Sequence, residues 1–135
     1  ASSVFNKNIL ISWEYELIDY SSAKYFTSDF ENANKTIESI YQRTNNLKVG
    51  AEINIKPFIL RAGYAKFGSA FANKDFSRES FSYGIGINNG SYFMDISYVL
   101  TQGKDEHLLY SDDYIDPINL TNTNHNFLFT IGFRY

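Results

Sequence analysis

Cysteine is absent from the sequence, which removes disulfides, thiolate metal sites and a thiol nucleophile together. Histidine is scarce. His107 and His125 are two isolated residues, too few for imidazole catalysis or a His-rich metal centre. Neither sign of charge dominates: 12 basic and 15 acidic residues leave a net charge of -3, which argues against a general nucleic-acid binder. No apolar run approaches the ~18 residues of a membrane-spanning helix. Enzyme signatures are missing as well. There is no nucleophile elbow, no metal-ligand spacing and no phosphate-cradling glycine loop, since the glycines fall inside strand-like segments. Glu14 and Glu16 are neighbouring carboxylates, but nothing around them marks a cleft. The chain is therefore expected to be non-enzymatic and to carry no cofactor.

What the 135 residues do have is aromatic rings. Tyr, Phe and Trp make up 18% of the chain, yet its mean hydropathy is -0.31. Sorting residues by parity resolves the contrast. Ile9, Ile11, Trp13, Tyr15 and Leu17 alternate with Leu10, Ser12, Glu14 and Glu16. Leu47, Val49, Ala51, Ile53 and Ile55 alternate with Lys48, Gly50, Glu52 and Asn54. The same period recurs from Phe58 to Ala65, from Phe81 to Ile87, from Tyr92 to Leu100 and from Phe127 to Tyr135. One set is apolar throughout. The other is mostly Gly, Ser, Thr, Asn or charged, with Leu10, Ile59, Ala65, Phe93, Val99 and Leu128 as exceptions. A period of two is that of a strand and excludes a helix.

Short and long connections alternate along the chain. Tight turns are expected at about 6–8, 56–57 and 88–90, where Asn, Gly and Pro supply turn conformations. Long loops are expected at about 18–46, 67–80 and 101–126. The first should hold a helix, with Asp29 as N-cap and Phe30, Ala33, Ile37, Ile40 and Tyr41 at helical spacing. The result is an antiparallel up-and-down meander of about six strands plus a stub at Ser2–Phe5.

Three features favour a transmembrane β-barrel over a soluble barrel or sandwich. Aromatics gather at the two ends of the apolar face: Phe58 and Tyr92 near the short turns, and Tyr15, Tyr64, Phe81, Tyr83 and Tyr98 near the long loops. These are the expected interfacial girdles, with aliphatic residues between them. The opposite face suits a crowded polar lumen, where Glu14, Glu16, Glu52 and Asp95 are expected to pair with Lys48, Arg61 and Arg134. These charges would form either a substrate path or a wall network. Finally, strands of about 10 residues, tilted by ~45°, cover roughly the height of an outer-membrane apolar band.

Six strands are fewer than the ~8 needed to close such a barrel. Residues 1–135 are therefore expected to be the C-terminal portion of a larger barrel domain, completed by upstream sequence or by other chains. The alternating ending Phe127, Phe129, Ile131, Phe133 and Tyr135 has the form of a terminal signal for the barrel-assembly machinery. The acidic stretch from Lys104-Asp105-Glu106 through Asp112-Asp113 to Asp116 is expected to be a solvated surface loop.

Several segments carry a resemblance to a known family. They are Asn46-Leu47-Lys48-Val49-Gly50-Ala51-Glu52, Lys56-Pro57-Phe58, Leu60-Arg61-Ala62-Gly63-Tyr64, Tyr83-Gly84-Ile85-Gly86, Asp95-Ile96-Ser97-Tyr98 and Thr130-Ile131-Gly132-Phe133-Arg134-Tyr135. Together with Ile11-Ser12-Trp13-Glu14-Tyr15-Glu16 upstream, their order resembles the last third of FadL/TodX-type outer-membrane transport proteins. That resemblance implies a barrel of about 14 strands with a hatch in its lumen. It implies passive passage of hydrophobic small molecules, such as long-chain fatty acids or aromatic hydrocarbons, through the bacterial outer membrane; some relatives are labelled hemin receptors. The long loops would be extracellular and the C-terminus periplasmic. The expected partners are outer-membrane lipid, the assembly machinery, a hydrophobic ligand or detergent, and other chains that complete the barrel or a larger complex. The alternative function is a structural or recognition segment of such a complex.

Overall fold

The computed structural model describes residues 2–5, 8–107 and 118–134. Seven strands form one antiparallel sheet in sequence order: β1 (Ser2–Phe5), β2 (Ile9–Asp19), β3 (Arg43–Ile55), β4 (Phe58–Phe67), β5 (Arg78–Asn88), β6 (Tyr92–His107) and β7 (Ile118–Phe133). The meander follows from the alternation, because each tight turn returns the chain beside the strand it has just left. Lys56-Pro57 closes the β3–β4 hairpin, with Ile55 opposite Phe58. Asn89-Gly90-Ser91 closes β5–β6. There Gly90 takes φ +80°, and its N–H donates to the Asn88 side chain at 3.1 Å. Asn6 and Lys7 of the first expected turn lie outside the described residues.

The expected long loops are all shorter than their polarity suggested, the first narrowing to residues 20–42. β6 and β7 each run 16 residues and stay in register from Tyr92↔Phe133 to His107↔Ile118. Most of the span expected as loop 101–126 is therefore strand. The apolar alternation stops near Leu100, but backbone hydrogen bonding does not. Thr101, Thr121 and Thr123 suit an extended ladder that no longer has a core to bury. The segment between β4 and β5 narrows to residues 68–77.

The first loop does hold a helix, α1 (Glu31–Ile40). Its N-cap is Phe30, with no side-chain cap bond, so Asp29 is not the cap. Asp29 lies inside a 3-10 turn, Ser28–Phe30, that leads into the helix. Tyr25 anchors this loop to α1 through a reciprocal pair: its N–H donates to Asn34 Oδ1 at 2.8 Å, and Asn34 Nδ2 donates to its carbonyl at 3.0 Å. The two loops are joined to each other. Tyr41 bridges Phe71 with rings 5.1 Å apart, the Gln42 N–H donates to Ala70 O, and the Ala72 N–H donates to Ile40 O.

Along the central strands the burial pattern is the reverse of a soluble sheet, while β2 and β7 are exposed on both faces over most of their length. Trp13 is 55% exposed, Ile85 49%, Ile96 53% and Phe129 61%, all on the apolar face. Along β3 the polar-parity residues Lys48, Gly50 and Glu52 are half-buried while Leu47, Val49 and Ile53 are exposed. Among the described residues, the buried apolar side chain is Ile59, and it lies on the polar face. Side chains shade one another on the inside of a curved sheet and splay apart outside, so this pattern is what curvature toward the polar side produces. Among the described residues the apolar face has no core to join, and it forms a contiguous exposed patch far larger than scattered surface residues.

Candidate functional site

Strand register sets out the polar face as rows across the sheet. Toward the long loops, Glu14 on β2 faces Lys48 on β3, and their side chains meet at 2.5 Å. Ser80 and Thr101 continue that row on β5 and β6, hydroxyl to hydroxyl at 3.0 Å. The next row is a floor of small residues: Ser12, Gly50, Gly63 and Ser82. Below it, Glu52 faces Arg61, and Arg61 Nε donates to Glu52 Oε2 at 2.7 Å. Hollows of about 580 and 420 Å³ lie over the floor and its two flanking charged rows.

The other partner of Arg61 stands two strands away. Arg61 Nη1 donates to Asp95 Oδ1, on β6, at 2.6 Å. Strand β5 lies between them, and it presents Gly84 opposite Arg61 and Gly86 opposite Asp95. A Cβ at Gly86 would overlap Asp95 Oδ1, and one at Gly84 would sit 3.2 Å from Ser97 Oγ and 3.7 Å from Arg61 Cβ. The two glycines clear the path along which a guanidinium crosses a strand. The resulting Glu52–Arg61–Asp95 cluster ties β3, β4 and β6 together. Parity alone put these residues on one face. It gave no reason for Gly84 and Gly86, whose role appears only with the cross-strand register.

The other expected charge partners separate. Glu16 accepts a hydrogen bond from Asn46 Nδ2 at 2.9 Å instead of meeting a cation. The Arg134 guanidinium lies 5.9 Å from the centre of the Phe93 ring. That ring itself covers Gly132, where a Cβ would overlap it, which accounts for an aromatic residue on the polar face.

On the apolar face, Tyr64 and Phe81 are cross-strand neighbours with rings 4.9 Å apart. Tyr83 pairs with Tyr98, and the Tyr98 ring lies 4.8 Å from Phe127. The Tyr98 hydroxyl is 2.7 Å from His125 Nδ1, a contact that sequence reading did not anticipate. Tyr15 and Phe58 are exposed, and Tyr92 faces Phe133 at the turn end. Phe127, Phe129, Ile131 and Phe133 share one exposed face of β7; Tyr135 lies outside the described residues. So do Asp112, Asp113 and Asp116 of the acidic stretch, whereas Lys104 and Asp105 belong to β6.

Ion pairs mark the loop end of the apolar-parity face. Asp19 meets Arg43 at 3.2 Å and Lys66 meets Glu79 at 3.4 Å. Lys104 meets Asp75 at 2.6 Å. The Lys104 ammonium, with the Ser77 hydroxyl and N–H, holds the Asp75 carboxyl well below the usual range, at about 2. The same contact raises Lys104 above the usual ammonium value.

Compared with protein-family models, with curated proteins and with solved structures, the chain shows no significant match.

Proposed function

We propose that this chain is the wall of an outer-membrane β-barrel through which hydrophobic small molecules cross passively. The inverted sheet carries the reading. An exposed apolar face with aromatic rings toward both ends suits lipid, and a recessed face of serines, glycines and locally paired charges suits a lumen. In lipid no sheet edge stays unpaired, so β1 and β7 would each pair with a further strand. The exposed ladder of Phe127, Phe129, Ile131 and Phe133 then suits a strand that the assembly machinery takes up by edge pairing. The long loops face the outside, and the turn end, with the C-terminus, faces the periplasm.

On the lumen side the wall does no chemistry in this reading. Lys48 and Arg61 are matched by Glu14, Glu52 and Asp95, so the cations offer no isolated charge to trap an acid headgroup. The flat floor between the charged rows leaves room for an acyl or aromatic body. The choice of hydrophobic solutes rests on the resemblance to FadL/TodX-type proteins. A second reading, a recognition or structural segment, draws on the β6–β7 hairpin. Its 16-residue strands continue past the apolar alternation by seven residues on β6, Thr101 to His107.

Uptake of labelled long-chain fatty acid and of a panel of aromatic hydrocarbons, in cells with and without the full-length gene, separates the two. Gene-dependent uptake is expected. Equal uptake across the panel refutes transport and favours the second reading.

A further inference from the structure

The apolar-parity face ends, at the loop side, in a polar hollow of about 420 Å³. It is lined by Lys66 of β4, Glu79 of β5, Gln102 and Lys104 of β6, Thr121 of β7 and Asp75 of the intervening loop. Strand parity puts Lys66, Glu79, Gln102, Lys104 and Thr121 on the same side as Tyr64, Phe81 and Phe127. The hollow lies directly beyond the aromatic row, where the Tyr98–His125 contact closes the apolar band.

We propose that this hollow binds the saccharide headgroup of an outer-leaflet glycolipid. The inference rests on the membrane-wall reading above and adds a ligand site to it. Height argues for a headgroup, because the residues just beyond an aromatic girdle meet the headgroup layer. Chemistry argues for a saccharide. Two ammonium groups, two carboxylates, an amide and the hydroxyls of Ser77 and Thr121 share one hollow with no net charge. A phosphate alone would favour a net cationic site. A polyhydroxylated ring offers donors to Asp75 and Glu79 and acceptors to Lys66, Lys104 and Gln102 at once. The ion pairs hold these groups in place before a ligand arrives, which lowers the ordering cost of binding. The acyl chains of the same molecule would run down the exposed face past Leu100, Tyr98 and Ile96, in line with the hollow on β6.

The test uses the full-length protein in detergent with purified lipopolysaccharide as probe. Native mass spectrometry and the unfolding midpoint, each measured with and without the glycolipid, report binding. Lys66→Ala with Lys104→Ala should lower retention about tenfold, the effect of ~1.4 kcal/mol. Lys24→Ala with Lys35→Ala removes the same charge on and beside α1 and should leave retention unchanged. Gln102→Trp fills the hollow while leaving both ion pairs in place, and should block retention even where the alanine variants fold poorly. Equal retention in the hollow-directed and α1-directed variants overturns the site. So does phosphatidylglycerol binding as well as lipopolysaccharide. A free disaccharide that competes as strongly as the intact glycolipid overturns the glycolipid as the ligand, since its acyl chains would then add nothing. A protein that folds in the membrane fraction but retains no glycolipid overturns the site alone. A protein that never enters the membrane fraction overturns the wall reading as well.

Discussion

Gly86→Ala tests whether the glycines of β5 exist to let Arg61 reach Asp95. A methyl at position 86 would overlap Asp95 Oδ1 and lie 3.2 Å from its Cγ. Two responses are open to the structure. If Arg61 holds the carboxylate in place, the site is overpacked, which costs about 1–3 kcal/mol. If the carboxylate swings aside, the Arg61–Asp95 bond is lost. With the Arg61 side chain 42% exposed and that of Asp95 25% exposed, the loss is on the order of 1 kcal/mol or less. The structure takes the cheaper route, which bounds the effect from above, so a destabilisation of about 1 kcal/mol is expected. Gly103→Ala is the control, since its Cβ would meet only Arg78 Cγ, at 3.9 Å. The decisive measurement is a double-mutant cycle. In an Asp95→Ala background the overlapping oxygen is gone, and Gly86→Ala should cost no more than the ~0.5 kcal/mol scatter of independent sites. Urea unfolding of the refolded protein, followed by the fluorescence of Trp13, provides the readout. An additive cycle, or a Gly86→Ala cost equal to that of Gly103→Ala, refutes the crossing as the reason for the glycines.

Two further perturbations probe the faces and the loop end. Ile85→Arg places a charge within the exposed apolar face and should cost about 2–4 kcal/mol in a bilayer, whereas Gln102→Arg, in the polar row beyond the girdle, should cost about 0–1 kcal/mol; equal costs would mean that the face does not meet lipid. Asp75 is depressed to about 2 from an ordinary 3.8, so its bond to Lys104 supports the folded loop above that ordinary value and weakens as pH falls toward 2. Protease protection of residues 68–77 should therefore be constant from neutral pH to about 4 and decline below it, and Asp75→Asn should abolish that pH dependence.

Much of the fold is legible in the sequence. Parity separates Ile53 and Ile85 from Glu52 and Gly86 with no ambiguity, because a one-residue slip would exchange the two faces. Asn, Pro and Gly marked the hairpins for local reasons. The lengths of β6 and β7 were not legible, because Thr123 and Asn124 carry no apolar period and their strand state depends on the partner opposite, Gln102 and Thr101. Asp29 had the right chemistry for an N-cap, but the 3-10 turn places it one residue too early.

The sequence by itself determined a two-faced antiparallel meander and which side chains share each face, since a strand's period of two is a property of local backbone geometry. The tertiary structure decided which charges meet. The Arg61–Asp95 contact crosses an intervening strand, and the match of Glu14 with Lys48 depends on register between segments 34 residues apart. It also decided which face is recessed, because that depends on how seven strands curve together and no single strand carries the information.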